Sequence, residues 1–435
     1  MNIEYVATCL FGLESLLGEE IEALGYKRTE TMDGRISFIG DERAMAKCNI
    51  GLRFAERLYI KIGEFEALTF DDLFEGTKAL EWEAWIGKND EFPVRGHSIK
   101  SALFSVPDCQ KIIKKAVVSR LSKAYGISWF EEKGVKYQID FFLFKNRATL
   151  MIDTSGTPLH KRGYRPLANE APMRETLACA LAKMSRPRED VLLWDPFCGS
   201  GTIATEAAMM MINKAPGLER AFIGQTFPQI EKSIWQNERE EARSKIITDS
   251  KFEAYASDIN PECVKIAKET AKHAGVYKHV KIFEKDALTI TTEGRRGTIV
   301  CNPPYGERLM TMKETEELYR KMGKRLRLRA ARVHIRVATG DAATTAMLYG
   351  AVCATLSYLL AFLDRFTRLK TTEESTVVVA DYLAQAPSAD VKLVLSMRVW
   401  AAIVLLARSL HDMKQRKQKT KDRRPRGARK EPSHG

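Results

Sequence analysis

The sequence predicts an α/β protein in which an N-terminal α+β unit precedes a mostly parallel, doubly wound sheet. Three observations carry this. From about Met173 the pattern repeats strand, turn and helix, which implies right-handed crossovers and parallel pairing. A glycine-containing turn, Asp195–Gly201, joins a strand to a helix. Upstream of Met173, short strand-like runs and helical runs alternate without that strict repetition.

In the first segment, β-branched and aromatic runs predict strands at Glu4–Cys9, Arg35–Ile39, Arg57–Ile62, Tyr137–Phe144 and Arg147–Ile152. Apolar spacing near 3.6 predicts helices at Leu13–Leu24 and Cys109–Ala124. Thr154–Arg165, rich in Gly, Thr and basic residues with one Pro, reads as a linker. Beyond it, strands are predicted at Val191–Trp194, Phe252–Ser257, Val280–Phe283 and Thr298–Cys301, with helices at Thr202–Ile212 and Pro261–Ala274.

The 435 residues suffice for two or three domains, and 45% hydrophobic with 29% charged residues is the composition of a soluble globular chain. Met1–Gly25 mixes several glutamates with apolar residues and carries no export signal. Eight scattered cysteines without a CxxC pair give neither a zinc site nor a disulfide framework, so no metal and a cytoplasmic location are expected. The net charge is +13, but eleven basic against two acidic residues between Arg408 and Lys430 put +9 of it in a C-terminal tail. That leaves only +4 for the rest of the chain, so charge alone says little about its partner.

Three motifs carry chemistry. In Leu192–Met210, Gly199 and Gly201 allow a tight turn and close approach to a ligand before Thr202 opens a helix, while Asp195 at the strand end can bind an ammonium group. Asp258 ends the next strand, where a carboxylate can take both hydroxyls of a ribose, and Asp286 follows the one after, where it can accept from an adenine amine. Either acid alone could be a helix cap, Asp258 especially, because it precedes Asn260-Pro261. Three acids at three successive strand ends outline a nucleoside bearing an amino-acid tail. The third motif is TIVCNPPYGERL, Thr298–Leu309, in which Pro303 and Pro304 present carbonyls only, Asn302 adds a side-chain acceptor and Tyr305 offers an aromatic face for a base. An sp² amine held by Asn302 Oδ1 and the Pro303 carbonyl keeps its lone pair directed at an electrophile.

In this order, the motifs resemble class I S-adenosylmethionine-dependent amino-methyltransferases. With KAPGLERAF (Lys214–Phe222) and the preceding α+β unit, residues 1 to about 326 resemble the bacterial THUMP-domain RNA methyltransferases that include the N-terminal half of the 23S rRNA guanine-N2 enzyme. The resemblance implies a ferredoxin-like unit, a THUMP RNA-binding domain over Met45–Asp153 and a Rossmann-like methyltransferase sheet. It also implies S-adenosylmethionine contacts at Asp195, Pro196, Gly199, Gly201, Thr202, Asp258, Ile259, Asp286, Ala287 and Asn302. Catalytic contacts to the base fall to Asn302, Pro303 and Tyr305, and a further substrate contact to Pro304. Lys111, Lys114, Lys115, Arg120 and Lys123 punctuate one helix, and Lys161, Arg162 and Arg165 sit in the linker. Such charges are usually a solvated face, but beside the resemblance they read as phosphate contacts, with Lys111, Lys114, Lys115, Arg162 and Arg165 chosen as substrate-binding. His97 and His160 are isolated and read as neither ligand nor base.

The expected division is therefore 1–155 ferredoxin-like plus THUMP, 156–172 linker, 173–326 methyltransferase, 327–407 an atypical apolar segment and 408–435 a disordered basic tail. Ala331–Val337 can supply a fifth strand, but no closing strand pair is read after it. Gly340–Phe362, 23 residues charged only at Asp341, and Leu393–Leu406, broken by Arg398, predict packed or interfacial helices rather than a membrane span. The segment ATGDAATTAMLYG faintly resembles the C-terminal part of an uncharacterised family of small membrane-associated bacterial proteins. The function expected is guanine-N2 methylation of 23S rRNA. The rivals are N6-adenine methylation of RNA or DNA, and an RNA-binding protein whose truncated methyltransferase sheet is inactive.

Overall fold

The computed structural model describes residues 2–165, 173–290, 295–304 and 312–325, together with strands at 327–328, 331–337, 368–369, 376–380 and 390–395. The chain forms two compact units, Met1–Glu284 and Lys285–Gly435.

The first unit begins with β1 (Ile3–Cys9), α1 (Glu14–Ala23), β2 (Arg28–Met32), β3 (Arg35–Gly40), α2 (Glu42–Gly51), β4 (Ala55–Glu66) and α3 (Phe70–Ala79). It continues with β5 (Val94–Ile99), α4 (Val106–Tyr125), β6 (Ile139–Phe144) and β7 (Arg147–Asp153). The seven strands form one sheet in the order β2-β3-β1-β4-β7-β6-β5. Its hinge is β4, 12 residues long: the first half pairs antiparallel with β1 (Val6↔Tyr59) and the second half with β7 (Phe65↔Ala148). One strand thus fuses the two halves of the N-terminal region. Local chemistry sets the helix starts: Asp41 caps α2 through the Ala44 N–H at 3.1 Å, and Thr69 and Asp72 close a capping box on α3.

After Asp153 the unit adds α5 (Glu175–Met184), β8 (Leu192–Asp195), α6 (Thr202–Met211), α7 (Lys232–Ser244), β9 (Ala254–Asp258), α8 (Pro261–His273) and β10 (Val280–Glu284). The three strands run parallel, with β9 between β8 (Leu193↔Ala254) and β10 (Val280↔Ala254).

Thr154–Arg165 is not a loose linker. Thr154 Oγ1 donates to the Leu58 carbonyl at 2.7 Å, Ser155 Oγ to Asn49 Oδ1 at 2.7 Å, and the Leu159 N–H to the Glu56 carbonyl at 2.8 Å. Tyr164 and Arg162 are buried. A single hydrophobic core runs from Ile3 through the sheet to Cys179 on α5 and Trp235 on α7. The N-terminal region therefore shares its core with helices α5 and α7. Composition suggested a linker because Gly, Thr and basic residues mark loops, but it cannot show that a loop is pinned along its length.

The second unit contains β11 (Gly297–Ile299), α9 (Met312–Arg325), β12 (Arg327–Leu328), β13 (Ala331–Val337), β14 (Arg368–Leu369), β15 (Thr376–Ala380) and β16 (Asp390–Leu395). The expected fifth strand is β13. The helical expectation for 327–407 is corrected where that segment is described: β15 pairs parallel to β13 (Ile335↔Val378) and β16 antiparallel (Val333↔Leu393). A pair of strands is thus present, one on each side of β13, where none was expected. The reason is local: TVVVA and DVKLVL are short β-branched or alternating runs, which favour an extended chain, whereas the expectation weighed only the length of apolar stretches. Gly340–Phe362 and the tail from Arg408 lie outside the described residues. Among the described residues no helix is long and apolar enough to cross a membrane.

Candidate active site

Several of the residues expected to hold the cofactor lie at the C-terminal ends of β8 and β9, where parallel sheets bind ligands. Gly199 and Gly201 take φ of 51° and 73°, a region that L side chains rarely adopt. At Gly201 a Cβ would also come within 2.9 Å of the Ala267 Cβ, so glycine lets α6 start hard against α8. The turn is tied to the neighbouring strand end. The Cys198 N–H donates to the Ser257 carbonyl at 3.0 Å, and the Gly199 N–H to Asp258 Oδ2, also at 3.0 Å.

Asp258 does not cap α8. Asn260 does, accepting from the Glu262 N–H at 2.9 Å, while Asp258 Oδ1 accepts from the Asn260 N–H at 3.0 Å. The carboxylate is thereby held at the strand end, half-buried, with lone pairs left for two hydroxyls. Next to it Ile259 is 68% exposed, an apolar surface on which a planar base can lie. Pro196 and Thr202 are buried within the turn.

Asp195 differs from Asp258. It is 1% exposed and accepts only from the Phe197 N–H, at 3.2 Å, and no cation pairs with it among the described residues. Burial pushes its carboxyl up to about 8, with nearby Asp258 adding to the rise and the Phe197 N–H opposing it. A buried acid without a counter-charge fits the ammonium end of an amino-acid cofactor, which would satisfy it.

The remaining called residues belong to the second unit. Asp286 caps the turn Ala287–Thr289 through the Leu288 N–H at 2.8 Å, and Ala287 is buried. Downstream of β11, Cys301 and Pro303 are buried while Asn302 is exposed, its amide without a partner among the described residues. Tyr319 on α9 donates its hydroxyl to the Pro304 carbonyl at 2.5 Å. That bond occupies one lone pair of the Pro304 carbonyl, while the Pro303 carbonyl beside Asn302 has no bond partner among the described residues. Sequence reasoning missed Tyr319, for an aromatic on a polar helix gives no sign of what its hydroxyl reaches. Tyr305 lies outside the described residues.

The basic residues separate into two kinds. Lys111 is 78% exposed with a loose 3.5 Å pair to Asp108, and Lys115 is exposed. Lys114 is occupied: its ammonium meets Glu132 at 2.6 Å, donates to the Phe92 carbonyl and lies 3.5 Å from the Phe92 ring centroid. Arg120 forks onto Glu83. Arg162 is a structural residue, 5% exposed, bonded to the Leu159 and Arg53 carbonyls and 3.6 Å from buried Glu206. Arg165 is locked to Glu175 at 2.5 Å. Lys114 and Arg162 are thus corrected from phosphate contacts to parts of the fold. His160 meets Glu56 at 2.8 Å. Among the described residues no cluster of His, Cys, Asp or Glu can hold a metal.

Residues 4–59 match the RlmL ferredoxin-like domain, 67–153 the THUMP domain and 162–353 the RMKL-like methyltransferase domain. The THUMP match starts at 67, so Met45, placed in that domain from sequence, falls in the ferredoxin-like one instead. Residues 335–384 match a domain of unknown function. The chain is 43% identical over 320 residues to YpsC of Bacillus subtilis, covering 73% of this chain and 83% of that protein, whose name classes it provisionally as an RNA methyltransferase. It is 32% identical over 328 residues to the ribosomal RNA large subunit methyltransferase K/L of Psychromonas ingrahamii, covering 74% of this chain but only 44% of that protein. Two solved structures each match 74% of this chain and 85% of their own. One is SMU.472, a protein classed as a methyltransferase and complexed with S-adenosylhomocysteine (36% identity, TM-score 0.70). The other, from Listeria monocytogenes, is described as an N6-adenine-specific DNA methylase on prediction (41%, TM-score 0.71). The chain belongs to the THUMP-domain methyltransferases with an RMKL-like catalytic domain.

Proposed function

We propose that this protein methylates the exocyclic N2 of a guanine in 23S ribosomal RNA, with S-adenosylmethionine as methyl donor. The observation that carries the transfer is the Asn302-Pro303-Pro304 segment, in which the Asn302 amide and the Pro303 carbonyl have no bond partner among the described residues and the next carbonyl is anchored by Tyr319. When bound, the donor would supply an electrophilic methyl from its sulfonium: the amine lone pair would form the N–C bond as the C–S bond broke with its electrons passing to sulfur, and the amine would lose a proton to water. Asn302 Oδ1 and the Pro303 carbonyl accept the two amine N–H bonds, which aligns the lone pair. Holding the reacting atoms in this way is worth roughly 7–11 kcal/mol of barrier. Asp195 holds the donor's ammonium, Asp258 its ribose, and Asp286 and Ile259 its adenine. Tyr305 stacks on a base flipped from the RNA. The THUMP-matched residues position the RNA through its phosphates.

The RNA reading draws on the THUMP match and on the names of the two curated relatives, and the guanine-N2 assignment on the K/L relative. Adenine-N6 is the second reading, because the same pair of acceptors holds either amine and the Listeria protein carries that description. Incubating the protein with undermodified 23S rRNA and labelled donor, then digesting to nucleosides, tests both. Label in N2-methylguanosine is the expected result, label in N6-methyladenosine would select the second reading, and an unlabelled RNA would contradict both.

A further inference from the structure

In the first unit, Thr157–Arg165, the N-terminus of α5 and Arg220 line an open cavity of about 630 Å³ that the proposed chemistry does not use. Among the described residues its lining carries Lys161, Arg165, Arg174 and Arg220 against one carboxylate, Glu175. Arg165 and Glu175 neutralise each other. Arg174 shares Glu56 at 3.3 Å, but that carboxylate already serves His160 at 2.8 Å and the Thr176 hydroxyl at 2.6 Å. Lys161 is exposed and has no ion pair among the described residues.

Arg220 is the anomaly. Its guanidinium donates to the carbonyls of Thr157 (2.5 Å), Pro158 (2.9 Å) and Lys161 (2.9 Å), and no carboxylate pairs with it among the described residues. Burial pushes it down to about 10, and the neighbouring Arg162 and Arg57 push in the same direction. Arg220 is half-buried and also lies 5.0 Å over the Phe222 ring, but neither the ring nor the three carbonyls supply a negative charge to match it. Three of its five N–H donors are used, so two remain.

We infer that this cavity is a phosphate site, in which Arg220, Lys161 and Arg174 take one or two backbone phosphates of the RNA. The inference rests on the RNA reading above. RNA is favoured over free phosphate by position: the cavity follows the THUMP-matched residues, which end at 153, and Arg174 is the N-cap residue of α5. A guanidinium, an ammonium and a helix N-terminus converge there, each suited to a phosphate oxygen.

The test uses the full chain and in vitro transcribed 23S rRNA, with affinity followed against salt. Wild type should bind with a marked salt slope. Lys161→Ala, an exposed change that leaves the fold intact, should weaken binding several-fold and lower the slope by about 0.7–0.9, the loss of one phosphate contact. Lys161→Ala with Arg174→Gln should lower it by about twice that, while S-adenosylhomocysteine affinity stays unchanged. Arg220→Lys keeps a charge without the fork and should give an intermediate loss. If wild type binds but the double variant keeps its slope, the cavity is not on the RNA path and the inference falls while the RNA reading stands. If the slope holds and millimolar inorganic phosphate binds wild type but not the double variant, the site serves free phosphate and the RNA assignment is overturned. Loss of cofactor affinity in the variants would also overturn it. Failure of wild type to bind any RNA would sink the RNA reading itself.

Discussion

Asp195 and Asn302 stand at opposite extremes of exposure, and the contrast separates the two jobs of a transferase. Asp195 is sunk at a strand end, 1% exposed, in a turn whose Phe197, Cys198, Gly199 and Gly201 N–H groups are already bonded within the protein. Asn302 projects its amide into solvent beside a carbonyl, with its neighbour Pro304 anchored from α9. On the proposed reading, the donor would meet a buried group that lacks a counter-charge, and the amine an exposed group beside an anchored carbonyl. Binding the donor and holding the amine should therefore fail independently.

The largest effect is expected from Asn302→Ala. Loss of a positioned partner in the transition state should cost about a hundredfold or more in kcat, with cofactor affinity nearly unchanged. Asp258→Ala should do the reverse. It removes the partner of the ribose and frees the Gly199 N–H, so calorimetry should show cofactor binding weaker by about 2–3 kcal/mol. Equal cofactor affinity and equal activity in the two variants would break the separation.

Asp195 should reveal itself through pH. An arriving ammonium favours the ionised carboxylate, so binding releases a proton and cofactor affinity should climb as pH rises towards about 8, by at most about tenfold per unit. Asp195→Asn should flatten that climb. The stability sign is the opposite of the usual carboxylate case. The folded value of about 8 lies above the ordinary 3.8, so the contribution is fully present below 3.8 and is lost as pH rises towards 8. Ligand-free Asp195→Asn should therefore melt above wild type at pH 8.5 and lose that advantage near pH 4. A wild-type affinity independent of pH would contradict the buried, unpaired acid.

A smaller effect should follow Tyr319→Phe. Losing one hydrogen bond of about 1 kcal/mol should lower kcat roughly fivefold and leave cofactor affinity alone. The basic helix offers the mildest contrast. Lys111→Ala with Lys115→Ala should reduce the salt slope of RNA binding without touching stability, whereas Lys114→Ala should lower stability by about 1 kcal/mol, because its ammonium serves Glu132 and the Phe92 ring. Similar melting of the two variants would show that burial does not distinguish these lysines.

That last contrast shows where sequence reading reaches and where it ends. The parallel strands β8 to β10 and the glycine turn were legible because buried strands are short continuous apolar runs and a positive-φ turn demands glycine. The edge strands β2 (RTETM) and β5 (VRGHSI) were not, for a strand with one neighbour need not alternate in polarity. Nor was the polar helix α7, anchored by the burial of Trp235 and Glu238. Among candidate site residues, Asp195 and Asp258 could be assigned to strand ends from sequence. Those defined only by charge, Lys114 and Arg162, could not, since residue type does not say whether the charge faces water or a partner. Arg220 stood within KAPGLERAF, quoted for its resemblance, yet its three carbonyl partners come from residues about 60 positions away.

The most direct test of the account is nucleoside mass spectrometry of 23S rRNA from cells lacking the gene, complemented with either wild type or Asn302→Ala. The account predicts one N2-methylguanosine lost on deletion, restored by wild type and not by the variant. An unchanged N2-methylguanosine content on deletion, or full restoration by Asn302→Ala, would contradict it.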